Sequence, residues 1–430
     1  MHECTANGRF RHLLVQRFGL VATIHSRVAL KVAATIMVML IVLGLSGCSR
    51  DPEITKANSD KRAEPITDED FSKMRIALEQ AIAERNRGRF VALFSKPQLF
   101  KLVFDDIKLL TSDRRKLESN INRGGNLAAL ISGIFSGVNS SGTYEFVKRL
   151  DSDGGCAMLF RFVPPAGNEI AYHRYELCRG YKARVYIRDI YLYLDQISLS
   201  KTLRQQVIKE LQSSGELESE SGADLTLEIS ADQTKSDAYK KYLELASSEQ
   251  WQKAWVAFEK LPESVRKSSK VAYQRVRVAE RLGDLYVTQA IDDSRAVDSK
   301  NLRTEYFAYN FFRERYKHQQ VIEAVNRMTD IVDDPYLRLL KLDALIGTDQ
   351  ISEARKTMDE FLAEDSRQSR RVLIHQFELA NAERDFESCV QLMDKLKSSF
   401  GLAIDNLSKL PRYANLLKSP EYREWSAKTN

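Results

Sequence analysis

Five cysteines and six histidines are the side chains in this 430-residue chain best suited to nucleophilic or metal chemistry. Their spacing supports little of either. The sequence holds no HExxH, no CxxC and no paired Cys/His spacing, so it offers no metal ligand set. It holds no glycine-rich phosphate loop and no GxSxG elbow, so the common nucleotide-binding and serine-hydrolase patterns are absent too. Past residue 48 only His173, His318 and His375 remain, far apart in sequence. Cys389 stands at a small helix-packing position and reads as a buried, inert thiol. Cys156 and Cys178 are the candidate disulfide. They bracket a turn centred on residue 167, which sets them nearly opposite each other on neighbouring strands. Pairing Met158, Phe160 and Phe162 with Tyr175 and Leu177 instead slips the register by one residue, which sends the two thiols to opposite faces. Both registers stay open at this point. No cofactor and no metal follow from these residues, and the chain reads as a non-enzyme.

Cys48 has a different context. Residues 32–45 are an apolar run just after Arg27 and Lys31. The run is too short for a spanning helix, which needs about 20 residues, and fits a secretory core of about 7–15. It ends in Leu45-Ser46-Gly47-Cys48, which resembles the lipobox of bacterial lipoproteins. The resemblance implies cleavage before Cys48 and acylation of its sulfur and amino group, hence stable membrane anchoring. Ser49, rather than an aspartate, favours the outer membrane facing the periplasm, an oxidising compartment in which the Cys156–Cys178 bond is chemically feasible. Residues 1–47 carry five bases against one acid, so most of the net charge of +6 sits in the leader. A body this near neutrality lacks the footprint of a nucleic-acid binder.

Elements to position these groups follow from the hydrophobic period. Residues 48–66 are polar, contain two prolines and read as a tether. Thr67 starts a helix with an apolar stripe at Phe71, Met74, Ala77, Leu78, Ala81 and Ile82. Further helices are expected over 101–110 and 127–135. The period then changes to two, which predicts strands at 143–150, 156–163, 170–178 and 183–194 joined by turn sequences. Helices followed by a meander imply an α+β layer over residues 67–212. This order resembles the NTF2-like superfamily of cone-shaped α+β domains. The resemblance implies a small-ligand or isomerase/dehydratase-like alternative, with His173, Tyr175, Asp189 and Tyr191 as its candidate residues. Residues 213–236 are rich in serine and acids and read as an interdomain linker.

From residue 237 to 430 only helical periodicity is found, and it repeats. Trp251-x-x-Ala254-x-x-x-Phe258-x-x-Leu261 recurs from Val321, from Ile351 and from Phe386, with a blurred copy over 285–291. The small residues Ala254, Ala324, Ala354 and Cys389 are 70, 30 and 35 apart. A period near 34 resembles the tetratricopeptide repeat, a stack of helical hairpins, and five units are counted over 237–399. Residues 405–426 are expected to cap the last unit. The resemblance implies a groove along the first helix of each hairpin that holds a partner protein or peptide. Counting back from the anchors puts Tyr239, Tyr273 and Tyr309 on that groove, with Arg277 and Arg313 one turn on. Tyrosine and arginine are interface anchors by type, suited to an acidic or C-terminal peptide.

Overall fold

Thr67 caps the first helix, its Oγ1 accepting the Asp70 N–H at 3.2 Å. The computed structural model describes residues 65–430 except 106, 108, 110, 124–125, 140–141, 153–154, 165–169, 181–182, 215–236, 366–368, 403–406 and 430. The leader, Cys48, and nearly all of the tether and the acidic linker therefore lie outside the described residues. Helix α1 (Asp68–Ala83) buries Phe71, Met74, Leu78, Ala81 and Ile82, close to the expected stripe. Next come α2 (Arg87–Ala92), α3 (Lys96–Val103), α4 (Thr111–Arg123) and α5 (Asn126–Asn139). The helix expected over 101–110 starts and ends earlier. Pro97 lies in the first turn of α3, where a missing N–H costs nothing, so the helix begins at Lys96.

Five strands form an antiparallel meander in chain order: β1 (Thr143–Ser152), β2 (Gly155–Val163), β3 (Ala171–Arg179), β4 (Val185–Leu192) and the short β5 (Ile197–Ser198). Met158 pairs with Tyr175, and Phe160 with His173. This is the slipped register, and it corrects the proposed Cys156–Cys178 bond. Cys178 lies opposite Tyr186, Cys156 opposite Asp151, and both thiols are free. The apolar pairs dictate the register because one step would turn every core side chain of β2 over. Burial pushes the Cys156 thiol up to about 11.

Strand β2 is buried along both faces from Cys156 to Arg161. Cys156, Met158 and Phe160 join the core under α1–α5 and α6 (Leu199–Ser214), a helix that the alternation reading did not include. Leu159 and Val163, with Ile170 and Tyr172, join the core of the repeats. The sheet is thus a middle layer, covered by the N-terminal helices on one face and by repeat residues on the other. Ile66–Asn430 forms one unit.

The C-terminal region is an array of tetratricopeptide-like hairpins. They are α7 (Asp237–Ser247) with α8 (Trp251–Glu259), then, after the short α9 (Glu263–Arg266), α10 (Ser269–Ala279) with α11 (Asp284–Val297). Next are α12 (Leu302–Glu314) with α13 (His318–Val332), α14 (Leu337–Gly347) with α15 (Ile351–Glu364), and α16 (Arg370–Glu383) with α17 (Phe386–Phe400). Ala254, Ala290, Ala324, Ala354 and Cys389 are all fully buried, where a small side chain lets paired helices approach. Ala290 supplies the blurred copy, giving spacings of 36, 34, 30 and 35. Tyr413 and Leu416, from the turn Pro411–Tyr413 and α18 (Ala414–Lys418), cover Phe377, Cys389 and Met393; α19 (Pro420–Thr429) completes the cap.

Candidate partner-binding surfaces

The first two hairpins meet at a groove of about 310 Å³. From α7 it is lined by Tyr242 and Leu243, and from α10 by Gln274 and Arg277, with Arg281 and Trp251 at one end. Helix α10 is held in rotation by its other face. There the buried Arg275 lies between the rings of Trp255 and Phe258, 4.0 and 4.5 Å away, and bonds Glu259 and Asp293. Arg277 consequently projects toward solvent, its side chain 53% exposed and 3.0 Å from Glu280. Tyr239 donates to Gln274 at 3.1 Å and orients that amide. The Tyr242 side chain is fully buried, and its hydroxyl, which has no hydrogen-bond partner among the described residues, lies within electrostatic reach of Arg275. A buried unpaired hydroxyl costs about 1–3 kcal/mol.

The groove tyrosines expected from the sequence are corrected here. Tyr239, Tyr273 and Tyr309 are buried. Their rings fill space between hairpins: Tyr239 stacks on Tyr242, and Tyr273 lies edge-on to Phe307 and under Arg303. Burying a large ring while satisfying its hydroxyl is the favoured use of tyrosine in a packed array. Arg313 turns back onto Tyr309, donating to its hydroxyl at 3.0 Å, and is half-buried. Of the expected pairs, only Arg277 therefore lines a groove. Tyr242, Gln274 and Arg281 went unmarked in the sequence reading because the count-back stepped over them.

A second constellation joins sheet to repeats. Asp334, in the turn between α13 and α14, accepts both bonds of Arg161 Nη1 at 2.7 and 2.8 Å, the Tyr172 hydroxyl at 2.7 Å and the Tyr336 N–H at 3.0 Å. Arg161 also bonds Glu145 and lies over the Tyr336 ring at 4.1 Å. Beside it, Lys148 pairs with Asp333 at 2.7 Å, and Tyr306 accepts the Ile170 N–H. Burial opposes the charge on Arg161, but Asp334 and Glu145 reverse the balance and hold the guanidinium charged. The sequence carries one sign of this site, a lone charge inside the apolar run Cys-Ala-Met-Leu-Phe-Arg-Phe-Val.

Of the residues of the ligand-binding alternative, His173 and Tyr175 meet at the Tyr144 hydroxyl, while Asp189 and Tyr191 have other partners. Tyr144 lies 2.8 Å from His173 Nδ1 and 2.5 Å from the Tyr175 hydroxyl. His173 and Tyr175 are buried, the latter edge-on to Phe90 and Phe160. Burial lowers the His173 pKa to about 4. Asp189 instead accepts the Ile190 and Ser200 N–H groups and the Ser200 hydroxyl, fixing the first turn of α6. Tyr191 lies edge-on to Tyr193 and under Arg174. Among the described residues there is no group of three His, Cys, Asp or Glu able to hold a metal. Also among them, no helix is long and apolar enough to cross a membrane.

No protein-family model matches the chain, and no curated protein matches it in sequence. Two solved structures align with part of it. PilW, described as a widely conserved type IV pilus biogenesis factor, shows 10% identity over 44% of this chain and 90% of its own, with a TM-score of 0.30. Pseudomonas aeruginosa PilF shows 16% identity over 44% of this chain and 86% of its own, with a TM-score of 0.31. Scores this low carry no argument about function, and the repeat architecture rests on the hairpins themselves.

Proposed function

We propose that this chain is a lipid-anchored scaffold of the cell envelope, without catalysis of its own. It holds a partner protein or peptide in the groove between its first two hairpins. The observation that carries the reading is the groove wall, where Arg277, Arg281 and Gln274 stand together. Guanidinium and amide donors together suit a carboxylate, so the fitting ligand is a peptide with an acidic or free C-terminal end. The lipobox-like Leu45-Ser46-Gly47-Cys48 and the Ser49 after it support a body outside the cytoplasm, anchored to the outer membrane and facing the periplasm. Anchoring there raises the local concentration of scaffold and partner.

Peptides ending in a free carboxylate after an acidic residue, read by fluorescence anisotropy, test the groove. Arg277→Glu with Arg281→Glu is expected to weaken binding roughly 10–100-fold, and C-terminal amidation to weaken it for the unaltered chain. Equal binding by both proteins would sink the groove assignment. A second reading, an isomerase- or dehydratase-like centre in an NTF2-like cone, draws on the meeting of the Tyr144 and Tyr175 hydroxyls with His173. The rings packed over those atoms favour the scaffold.

A further inference from the structure

A different face carries an inference that stands without the groove above. Strand β1 is the sheet's long edge, pairing with β2 and with no other strand among the described residues. Its stretch 144–147 forms one side of a cleft of about 650 Å³, a volume in the range of ligand-holding pockets. Two other elements flank that edge. Helix α1 brings Arg75 and Glu79, and the end of α15 brings Glu364 with Asp365. Asp334 and Pro335 close the side toward the repeats. The edge strand thus lies beside a walled trough. Up to the irregularity at Val147, this edge offers main-chain N–H and C=O groups at alternate residues, the template for adding a strand.

The charge of the trough selects the occupant. Five carboxylates line it against two guanidinium groups, Arg75 and Arg161. Arg161 is already held by Asp334 and Glu145, Glu364 is paired with Arg338 at 2.6 Å, and Arg75 lies over the Phe146 ring at 5.2 Å. Glu79 is in no ion pair among the described residues. We infer that β1 accepts an extended, lysine- or arginine-bearing segment of a partner protein as an added strand, its basic side chains directed at Glu79 within the net-acidic trough. Main-chain pairing supplies affinity and the acids supply selectivity.

The full chain is titrated into a fluorescent octapeptide that alternates lysine with valine. Comparison peptides replace lysine by glutamate or carry N-methyl groups on alternate backbone amides. The glutamate and N-methyl peptides are each expected to bind at least roughly tenfold more weakly, and Glu79→Lys to cost the lysine peptide a similar factor. Amide exchange at 144–147 should slow when the lysine peptide binds. Arg277→Glu with Arg281→Glu should leave this binding unchanged, which separates the two sites. Equal binding of the N-methylated and unmodified peptides, unchanged exchange along β1, or no binding by the lysine peptide overturns the inference. Because the N-methyl comparison alters no protein residue, a variant that fails to fold does not remove the test.

Discussion

His173 shows how one side chain can set the acid limit of the fold. It is buried, with its Nδ1 against the Tyr144 hydroxyl, and burial brings its pKa down from the ordinary 6.5 to about 4. Between those values the unfolded chain takes up a proton that the folded chain refuses. Stability therefore falls as pH drops through this window, is unaffected by this group above it, and stops falling below pH 4. The loss is on the order of 3 kcal/mol. His173→Gln, which cannot titrate there, is expected to flatten the fall of the urea midpoint between about pH 6.5 and 4, relative to the unaltered chain. An unchanged slope would assign the acid sensitivity to other groups. The sequence made the role of this histidine ambiguous because its type suits a base and a core residue alike. The same ambiguity misplaced the tyrosines. Arg277 was legible because a charge on a helix face seldom has anywhere to go but out, whereas a tyrosine ring is equally at home beneath it.

At the scale of elements the hairpins were legible from spacing, since a small residue must recur wherever two helices pack closely. The copy at Ala290 was blurred because Ser294 stands where the other units carry a large apolar side chain. Ser294 is buried, with its hydroxyl 2.8 Å from that of Thr304, so a polar pair replaces apolar filling. The strands were legible from alternation and turns, but the register stayed open in the sequence, because the two cysteines and the apolar pairs favoured pairings one residue apart. What alternation hid was the second face of β2: a strand covered on both sides loses its polar partner positions and reads as a continuous run. The packing role of the small residues yields a direct expectation. Ala324 is fully buried between α13 and its neighbours, and Ala324→Leu forces extra carbons into a filled space. It should lower stability by about 1–3 kcal/mol. Val256→Ala, at a half-exposed position of α8, should change it by no more than about 0.5 kcal/mol. Thermal denaturation of both variants makes the comparison, and equal losses would contradict close helix approach at Ala324.

The shortest spacing in the array, from Ala324 to Ala354, brackets the turn that reaches the sheet. Asp333 takes a left-handed conformation at the end of α13, and α14 begins after only three intervening residues, leaving Asp334 directed at Arg161. A shortened repeat therefore serves as the link between two regions of different architecture. If that link couples them, they unfold together. The chain carries its own reporters: all three tryptophans, Trp251, Trp255 and Trp425, lie among the repeats or their cap, while Cys178 lies on the sheet. In a chain whose other cysteines are replaced, tryptophan fluorescence and Cys178 labelling should give one coincident urea transition. Asp334→Ala leaves Arg161 buried with half its charge partners and strips the Tyr172 hydroxyl of its acceptor. That change should cost about 3–5 kcal/mol and draw the two transitions apart. Arg161→Met with Asp334→Leu removes both fully buried charges and leaves only the part-exposed Glu145 without its partner, so it should cost less than Asp334→Ala alone. A double variant as damaged as the sum of its parts would mean that the two side chains do not act as a pair. Transitions that separate already in the unaltered chain would mean that the repeats stand without the sheet.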